Sequence, residues 1–290
     1  MVMNTQPQID IIVRFHDVNH LMELKRCIFS LVGQEYRPLN IIVSLQRFSP
    51  EQIEVVKSTL APMLSLYDAP TIKFVNFENE QPKDARSKLI NIGIEAATGR
   101  FLAFLDYDDI MYPEAYKTLI ARALAKQAAI CFASVRLMNV HPYKDFIHPL
   151  QKRGGFPGST LRELFRGNFC PIHSYIFDRS LITSELYYDE ALNWEEDYDM
   201  LLRVCAKFKS DFSLIGTELG DYIHKDDGSN TVACANGISG DKMKGYAAVK
   251  ANNERKRQIT TISTDVQKSL GITVPIDSLT IRDFLSLPRK

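Results

Sequence analysis

Apolar positions in the first hundred residues alternate between two rhythms. Short, nearly continuous apolar runs at 9–13, 39–43, 72–77 and 101–105 predict buried strands. Between them the apolar residues recur at helical spacing, first Leu21, Leu24, Ile28 and Leu31, then Ile53, Val56 and Leu60, then the stretch from Asp84 to Ala97. Gly33 with Pro38, then Pro62, then Gly99 are expected to close these three helices. Strands alternating with connections of helix length predict an α/β protein with a Rossmann-like, mostly parallel sheet and helices on both faces. The run Phe101-Leu102-Ala103-Phe104-Leu105 is apolar on both faces and is expected at the sheet centre.

Right-handed crossovers bring the loops after parallel strands to one carboxyl edge, where α/β sheets bind ligands. That edge should gather residues 14–17, 44–49 and 106–109. After Pro113 the rhythm changes. A helix with Ala115, Leu119, Ile120 and Ala123 precedes a strand over 130–140, followed by a Gly/Pro-rich loop over 153–158. Gly154 and Gly155 would let that loop move as a lid. Thr160 and Glu163 fit a capping box for a short helix. A strand over 173–177 and a helix over 197–208 follow, the helix with Leu201, Leu202, Cys205 and Phe208 inward.

Charge changes the picture only at the end of the chain. Thirty-five basic and thirty-five acidic residues cancel over 290 positions, which argues against a nucleic-acid partner held by bulk charge. The segment 241–290 carries ten basic residues against five acidic, including Arg255-Lys256-Arg257 in a helix-like stretch from Met243 to Ile259. No apolar run approaches the roughly 18–20 residues that span a bilayer, and residues 1–8 lack an apolar signal core. A soluble, cytoplasmic protein is the expectation. The cysteines Cys27, Cys131, Cys170, Cys205 and Cys234 are scattered and odd in number, so reduced thiols are expected rather than disulfides or a zinc site.

Two acidic clusters carry the candidate chemistry. Asp106-Tyr107-Asp108-Asp109 directly follows the fourth apolar run. Extended backbone there would turn the Asp106 and Asp108 carboxylates to one face, an oxygen-rich site for Mg²⁺ or Mn²⁺ bridging to phosphates. The second cluster, Trp194-Glu195-Glu196-Asp197-Tyr198-Asp199, opens an amphipathic helix. Acids at a helix N-terminus favour the dipole, and a carboxylate beside a bound hydroxyl is also a general base. Tyr222-Ile223-His224 leads into a turn containing Gly228-Ser229-Asn230.

The order and spacing of these stretches resemble the family 2 glycosyltransferases of the GT-A fold, in their inverting, bacterial type. The likeness runs from about Ile9 to Asn230. It is carried by Ile11-Ile12-Val13-Arg14, Leu39-Asn40-Ile41-Ile42-Val43, the run from Asp84-Ala85-Arg86 through Asn91 to Asp109, Gly167-Asn168-Phe169, Tyr188 to Asp199, and Ile223-His224. The resemblance implies a transfer of sugar from a nucleoside-diphosphate sugar to a hydroxyl of a glycan, lipid-linked or other acceptor. It implies Asp197 as catalytic base and Asp106, Asp108 and His224 around a Mn²⁺ or Mg²⁺ ion. Arg14, Phe15, His16, Asp17, Gln46, Arg86, Asp106 and Tyr107 would line the donor, and Trp194, Glu195 and Glu196 the acceptor.

The family usually places Asp-Asp-Gly-Ser after the second strand, with an Asp on the nucleobase. Here the run is Ser44-Leu45-Gln46-Arg47-Phe48-Ser49, and Gln46 offers an uncharged acceptor and two donors instead. The expected organisation is a GT-A domain over 1–235, with a nucleotide-sugar half to about 110 and an acceptor half from 111, then a partly helical extension over 236–290. That extension would touch an anionic membrane at the inner face of the cell, pack on the domain or support a homodimer. The rival readings are a non-catalytic sugar-nucleotide-binding or scaffold protein of the same fold, and a nucleotidyltransferase. A dinucleotide oxidoreductase is disfavoured because no GxGxxG follows the first strand.

Overall fold

The computed structural model describes residues 6–192, 194–228, 230 and 240–288, with side chains described from 247 in the last segment. Strands β1 (Ile9–Phe15), β2 (Leu39–Gln46), β3 (Thr71–Phe77) and β4 (Phe101–Asp106) alternate with helices α1 (Leu21–Val32), α2 (Pro50–Leu64) and α3 (Arg86–Ala96). All four strands run parallel in the order β3-β2-β1-β4. Side chains alternate across this sheet. Ile9, Ile11 and Val13 meet α1, α2 and α4 (Ala115–Lys126) on one face, while Ile12, Ile42 and Phe104 face α3 on the other. Helices on both faces therefore follow from strands that are apolar on both sides.

The second half mixes directions. The sheet continues through β8 (Tyr175–Asp178), β6 (Ile130–Pro142), β9 (Ser210–Lys225) and the short β5 (Ile110–Met111). Strand β8 is antiparallel to both β4 and β6, and β5 to β9. A ninth strand, β7 (Ile147–Arg153), forms a hairpin with β6. Six of its seven residues are exposed, so no buried stripe in the sequence announces it. The Gly/Pro-rich loop over 153–158 thus begins at the end of a paired strand.

Several boundaries differ by one to three residues from the sequence expectation, two of them with a clear physical cause. Pro62 lies inside α2, which runs on to Leu64. Buried Leu60 and Met63 hold the last turn against the core, and the capping box between Ser49 and Gln52 secures the first. Strand β2 continues to Gln46, three residues beyond its most apolar stretch, because each added residue pairs with β1 or β3. At the opposite end of the sheet, buried Asp10 accepts the Thr98 and Gly99 N–H groups at 2.6 Å each and Asn40 Nδ2 at 3.0 Å, locking β1 to the turn before β4.

Helices α5 (Leu161–Arg166) and α6 (Glu196–Lys207) cover the second core with α8 (Thr264–Ser269) and α9 (Ile281–Ser286). Thr160 caps α5 by accepting the Glu163 N–H. Helix α7 (Gly240–Ile259) crosses from the undescribed stretch to α8. Ile262, Val266, Leu279, Ile281 and Phe284 pack in the same cluster as Tyr198, Leu201 and Leu202, so the extension packs on the face that carries α6. Cys27, Cys131, Cys170 and Cys205 are buried free thiols. Cys234, Ser229 and the expected boundary at 235/236 lie outside the described residues.

Candidate active site

In-register pairing of β1 and β4 sets Arg14 beside Asp106 at the carboxyl ends of both strands. Arg14 Nε donates to Asp106 Oδ1 at 2.6 Å and Nη2 to Oδ2 at 3.2 Å. Its Nη1 donates to Glu196 Oε1 at 2.7 Å. One guanidinium thus joins the two acidic clusters, reaching Glu196 across 182 positions of sequence. Burial works against ionisation of Asp106, and the Arg14 charge outweighs it, holding the carboxyl below its ordinary range.

Asp108 turns toward α1 and β9. Its Oδ2 lies 3.4 Å from Lys225 Nζ, which is 3.5 Å from Glu23 Oε1, and its carbonyl accepts Arg26 Nη2 at 3.3 Å. Burial and then Asp106 push the Asp108 carboxyl upward against the pull of Lys225. Asp109 is deeper, accepting the Ile223 N–H at 2.8 Å with Oδ2 3.3 Å from His173 Nδ1. Burial raises Asp109 well above a normal carboxyl and pushes His173 down to about 4, so that imidazole is neutral at pH 7. Its ring stacks on Tyr222 with centroids 6.2 Å apart.

The second cluster is set by the start of α6. Glu195 precedes the helix with φ 53°, a left-handed conformation that costs a non-glycine residue about 1 kcal/mol or more. It makes no side-chain capping bond, and Glu196, Asp197 and Asp199 follow it in the first turn. Asp197 is half-buried; its Oδ1 accepts the Tyr198 N–H at 2.8 Å and its Oδ2 accepts Asn168 Nδ2 at 3.3 Å. Burial, then the neighbouring Glu196 charge, lift the Asp197 carboxyl to about 7. A carboxyl near that value has the proton affinity suited to a general base at neutral pH.

The remaining expected residues surround this centre. Tyr107 packs among Phe15, His16 and His20, with ring centroids 5.3–5.8 Å away. Phe15 is fully buried, whereas His16 is exposed. Asp17 caps the short 3-10 turn Val18–His20 by accepting the Asn19 N–H. Arg86 pairs with Asp84 at 2.8 Å where α3 begins. Gln46 Nε2 donates to the Lys83 carbonyl at 3.0 Å and its Oε1 accepts the Ala85 N–H at 3.3 Å, so its amide fastens the loop before α3. Its neighbour Arg47 donates to the carbonyls of Asn79, Glu80, Pro82 and Lys83 in the same loop.

Trp194 lies half-buried just before α6, and His224 on β9 is one residue from Lys225. Side-chain alternation along β9 puts His224 on the face opposite Lys225, the residue that reaches Asp108. Among the described residues, no three His, Cys, Asp or Glu side chains group as a metal cluster, so Asp106, Asp108 and His224 are not assembled into one. The donor set still suits a hard divalent cation, which commonly takes one or two carboxylates and completes its shell with water and substrate phosphate. Sequence reasoning missed Glu23, Arg26, His173 and Lys225. Lys225 had one available signal, since it follows a histidine already singled out.

These strands and crossovers, with the carboxylates at the sheet's carboxyl edge, define an α/β protein of the GT-A type. Residues 10–184 match the sequence profile described as Glycosyl transferase family 2, and the chain belongs to that family. It is 28% identical over 123 residues to the uncharacterized glycosyltransferase YibD of Escherichia coli, an alignment covering 42% of this chain and 32% of that protein. It is 31% identical over 117 residues to the GalNAc(5)-diNAcBac-PP-undecaprenol beta-1,3-glucosyltransferase of Campylobacter jejuni, covering 40% of this chain and 35% of that one. These matches therefore span about a third of each relative's length. The fold resembles that of S. aureus TarS in complex with UDP-GlcNAc, with TM-score 0.57, 14% identity, and coverage of 84% of this chain and 66% of the other.

Proposed function

We propose that the chain is a metal-dependent, inverting glycosyltransferase that moves a sugar from a nucleoside-diphosphate sugar to a hydroxyl of a glycan or lipid-linked acceptor. The observation that carries this reading is Arg14, whose guanidinium pairs with Asp106 at the end of β4 and with Glu196 at the start of α6, next to Asp197. The undecaprenol-linked acceptor named for one relative and the UDP-GlcNAc bound by a structural neighbour support the substrate classes.

In this mechanism the acceptor oxygen attacks the anomeric carbon while the bond to the diphosphate oxygen breaks on the opposite face. Asp197 takes the hydroxyl proton, and the nucleoside diphosphate leaves with the bonding electrons. Asp106 and Asp108 would hold Mn²⁺ or Mg²⁺, whose charge stabilises the departing diphosphate. Arg14 keeps Asp106 ionised and Glu196 in place, and Arg86 adds positive charge at the rim where the nucleotide enters. Tyr107, His16 and Asp17 border the donor, and Trp194, Glu195 and Glu196 the acceptor. The half of the chain before about residue 110 serves the donor and the half after it the acceptor.

The direct test combines a thermal-shift screen of UDP, GDP and dTDP with Mn²⁺ and an assay of nucleoside-diphosphate release from the matching sugar nucleotides. Stabilisation by one diphosphate, together with its release from the corresponding donor, is the expected result. No binding by any of the three would defeat the reading, and binding without release would favour the non-catalytic alternative.

A further inference from the structure

Helix α7 has no continuous apolar stripe, yet it docks on the domain. Asn253, Lys256 and Arg257 stand at i, i+3 and i+4 and so share one face. That face meets the start of α6. Asn253 Nδ2 donates to Glu195 Oε2, and Lys256 Nζ lies 2.9 Å from Asp199 Oδ1. Arg257 Nη2 donates to the Tyr198 hydroxyl at 3.0 Å, and its Nε and Nη2 also cap the Phe165 and Arg166 carbonyls of α5. Arg255, between them in sequence, is exposed.

These partners fall on both sides of one residue. Glu195 is held by Asn253, Glu196 by Arg14, Tyr198 by Arg257 and Leu164, and Asp199 by Lys256 and Arg203. Asp197 sits in the middle, with only Asn168 reaching it from another element among the contacts described above. The Asp199 carboxylate is completely buried, so its pairing with Lys256 pays heavily in desolvation and returns little net stability. What such a pair supplies is a fixed position. The strained left-handed Glu195 needs the same kind of external restraint.

We infer that Asn253, Lys256 and Arg257 are positioning residues, through which the C-terminal helix aims the Asp197 carboxylate at the acceptor hydroxyl. The inference rests on the reading of Asp197 as base and extends it to a segment outside the family match at 10–184. The basic run of the tail is then largely committed inward. Lys256 and Arg257 serve the site, and Arg255 remains at the surface.

The test uses the full chain and its Asn253→Ala, Lys256→Met, Lys256→Arg and Arg255→Ala variants. Turnover is read as release of UDP or GDP from UDP-GlcNAc, UDP-glucose or GDP-mannose, water standing in for the acceptor. Because small displacements of a reacting group cost rate, Asn253→Ala and Lys256→Met should lose about 10- to 100-fold in kcat with KM within about twofold. Lys256→Arg should recover most of the loss, and Arg255→Ala should match the parent. Amide hydrogen exchange gives a readout independent of turnover. Residues 195–199 should exchange at least about tenfold faster in Asn253→Ala and Lys256→Met, while β1 and β4 stay protected.

Unchanged exchange at 195–199 would overturn the inference, as would a loss confined to KM. Asp197→Asn separates the two levels of argument. If it keeps full turnover, the assignment of the base fails. If it loses turnover while the α7 variants do not, only the positioning role fails.

Discussion

Glu196 accepts a hydrogen bond from Arg14 at 2.7 Å, although the two stand at the beginning and in the last third of the chain. The same guanidinium grips both oxygens of Asp106. Only a planar group with several donors in fixed directions spans two carboxylates in this way. Removing it leaves both acids partly buried without their cation.

Arg14→Lys should therefore be far from conservative. A single ammonium cannot keep both contacts, and breaking a buried pair costs about 3–5 kcal/mol when one partner is lost outright. The expected result is a lower melting temperature and weaker nucleotide binding together, with Arg14→Met worse than Arg14→Lys. Parent-like melting and affinity in Arg14→Met would show that the bridge contributes nothing.

Asp108→Ala tests the cation. Calorimetric titration of the parent with UDP or GDP should show affinity that rises with Mn²⁺, and the variant should lose that dependence. Lys225 needs its own control, because its Nζ lies 3.4 Å from the same carboxylate. Lys225→Met should weaken nucleotide binding without abolishing the response to Mn²⁺. An undiminished Mn²⁺ response in Asp108→Ala would remove that residue from the metal site.

How far the sequence spoke depends on what each signal requires. Strands β1, β2 and β4 were legible because both faces are buried, which writes continuous apolar runs, while β3, half-buried at most positions, still carried enough apolar residues to be read. Strand β7 was not, since its side chains are nearly all exposed and it is held chiefly by backbone pairing with β6. Asp106, Asp108 and Asp197 stood out as clustered acids. Arg14 was named only as a donor residue and Lys225 was missed, because their pairings with Asp106, Glu196 and Asp108 join different elements and form only in the fold. Gln46 shows the converse, a residue chosen for its chemistry whose amide is engaged by Lys83 and Ala85 of its own chain. Lys256 and Arg257 read as a surface charge run until the spacing on α7 is set against α6.

Gly93 tests the packing that supports β1. A Cβ there would approach Ile12 Cγ2 to 2.5 Å, and Ile12 is wholly buried under α3. Alanine gains about 1 kcal/mol of helix propensity, against about 1–3 kcal/mol for overpacking a close-packed core. Gly93→Ala should be destabilising or neutral in denaturant unfolding, and never stabilising by the full propensity gain. A gain of that size would mean that α3 and β1 pack more loosely than the structure shows.

Asp197 should govern the response to pH in two opposite senses. Its carboxyl is lifted to about 7 by burial and by Glu196, against an ordinary value near 4 in the unfolded chain. As a base it works only when ionised, so kcat/KM should rise with pH on a limb centred near 7. Stability runs the other way. Between the two values the folded chain holds a proton that the unfolded chain has lost, so this group's contribution is fully present below about pH 4 and disappears as pH rises through about 7. Asp197→Asn cannot ionise. It should lose about 10²- to 10⁴-fold in turnover, keep nucleotide affinity within about twofold, and flatten the stability profile between pH 4 and 7. Parallel pH–melting curves for parent and variant would contradict the raised carboxyl, and an unshifted acid limb in the residual activity would assign that limb to another group.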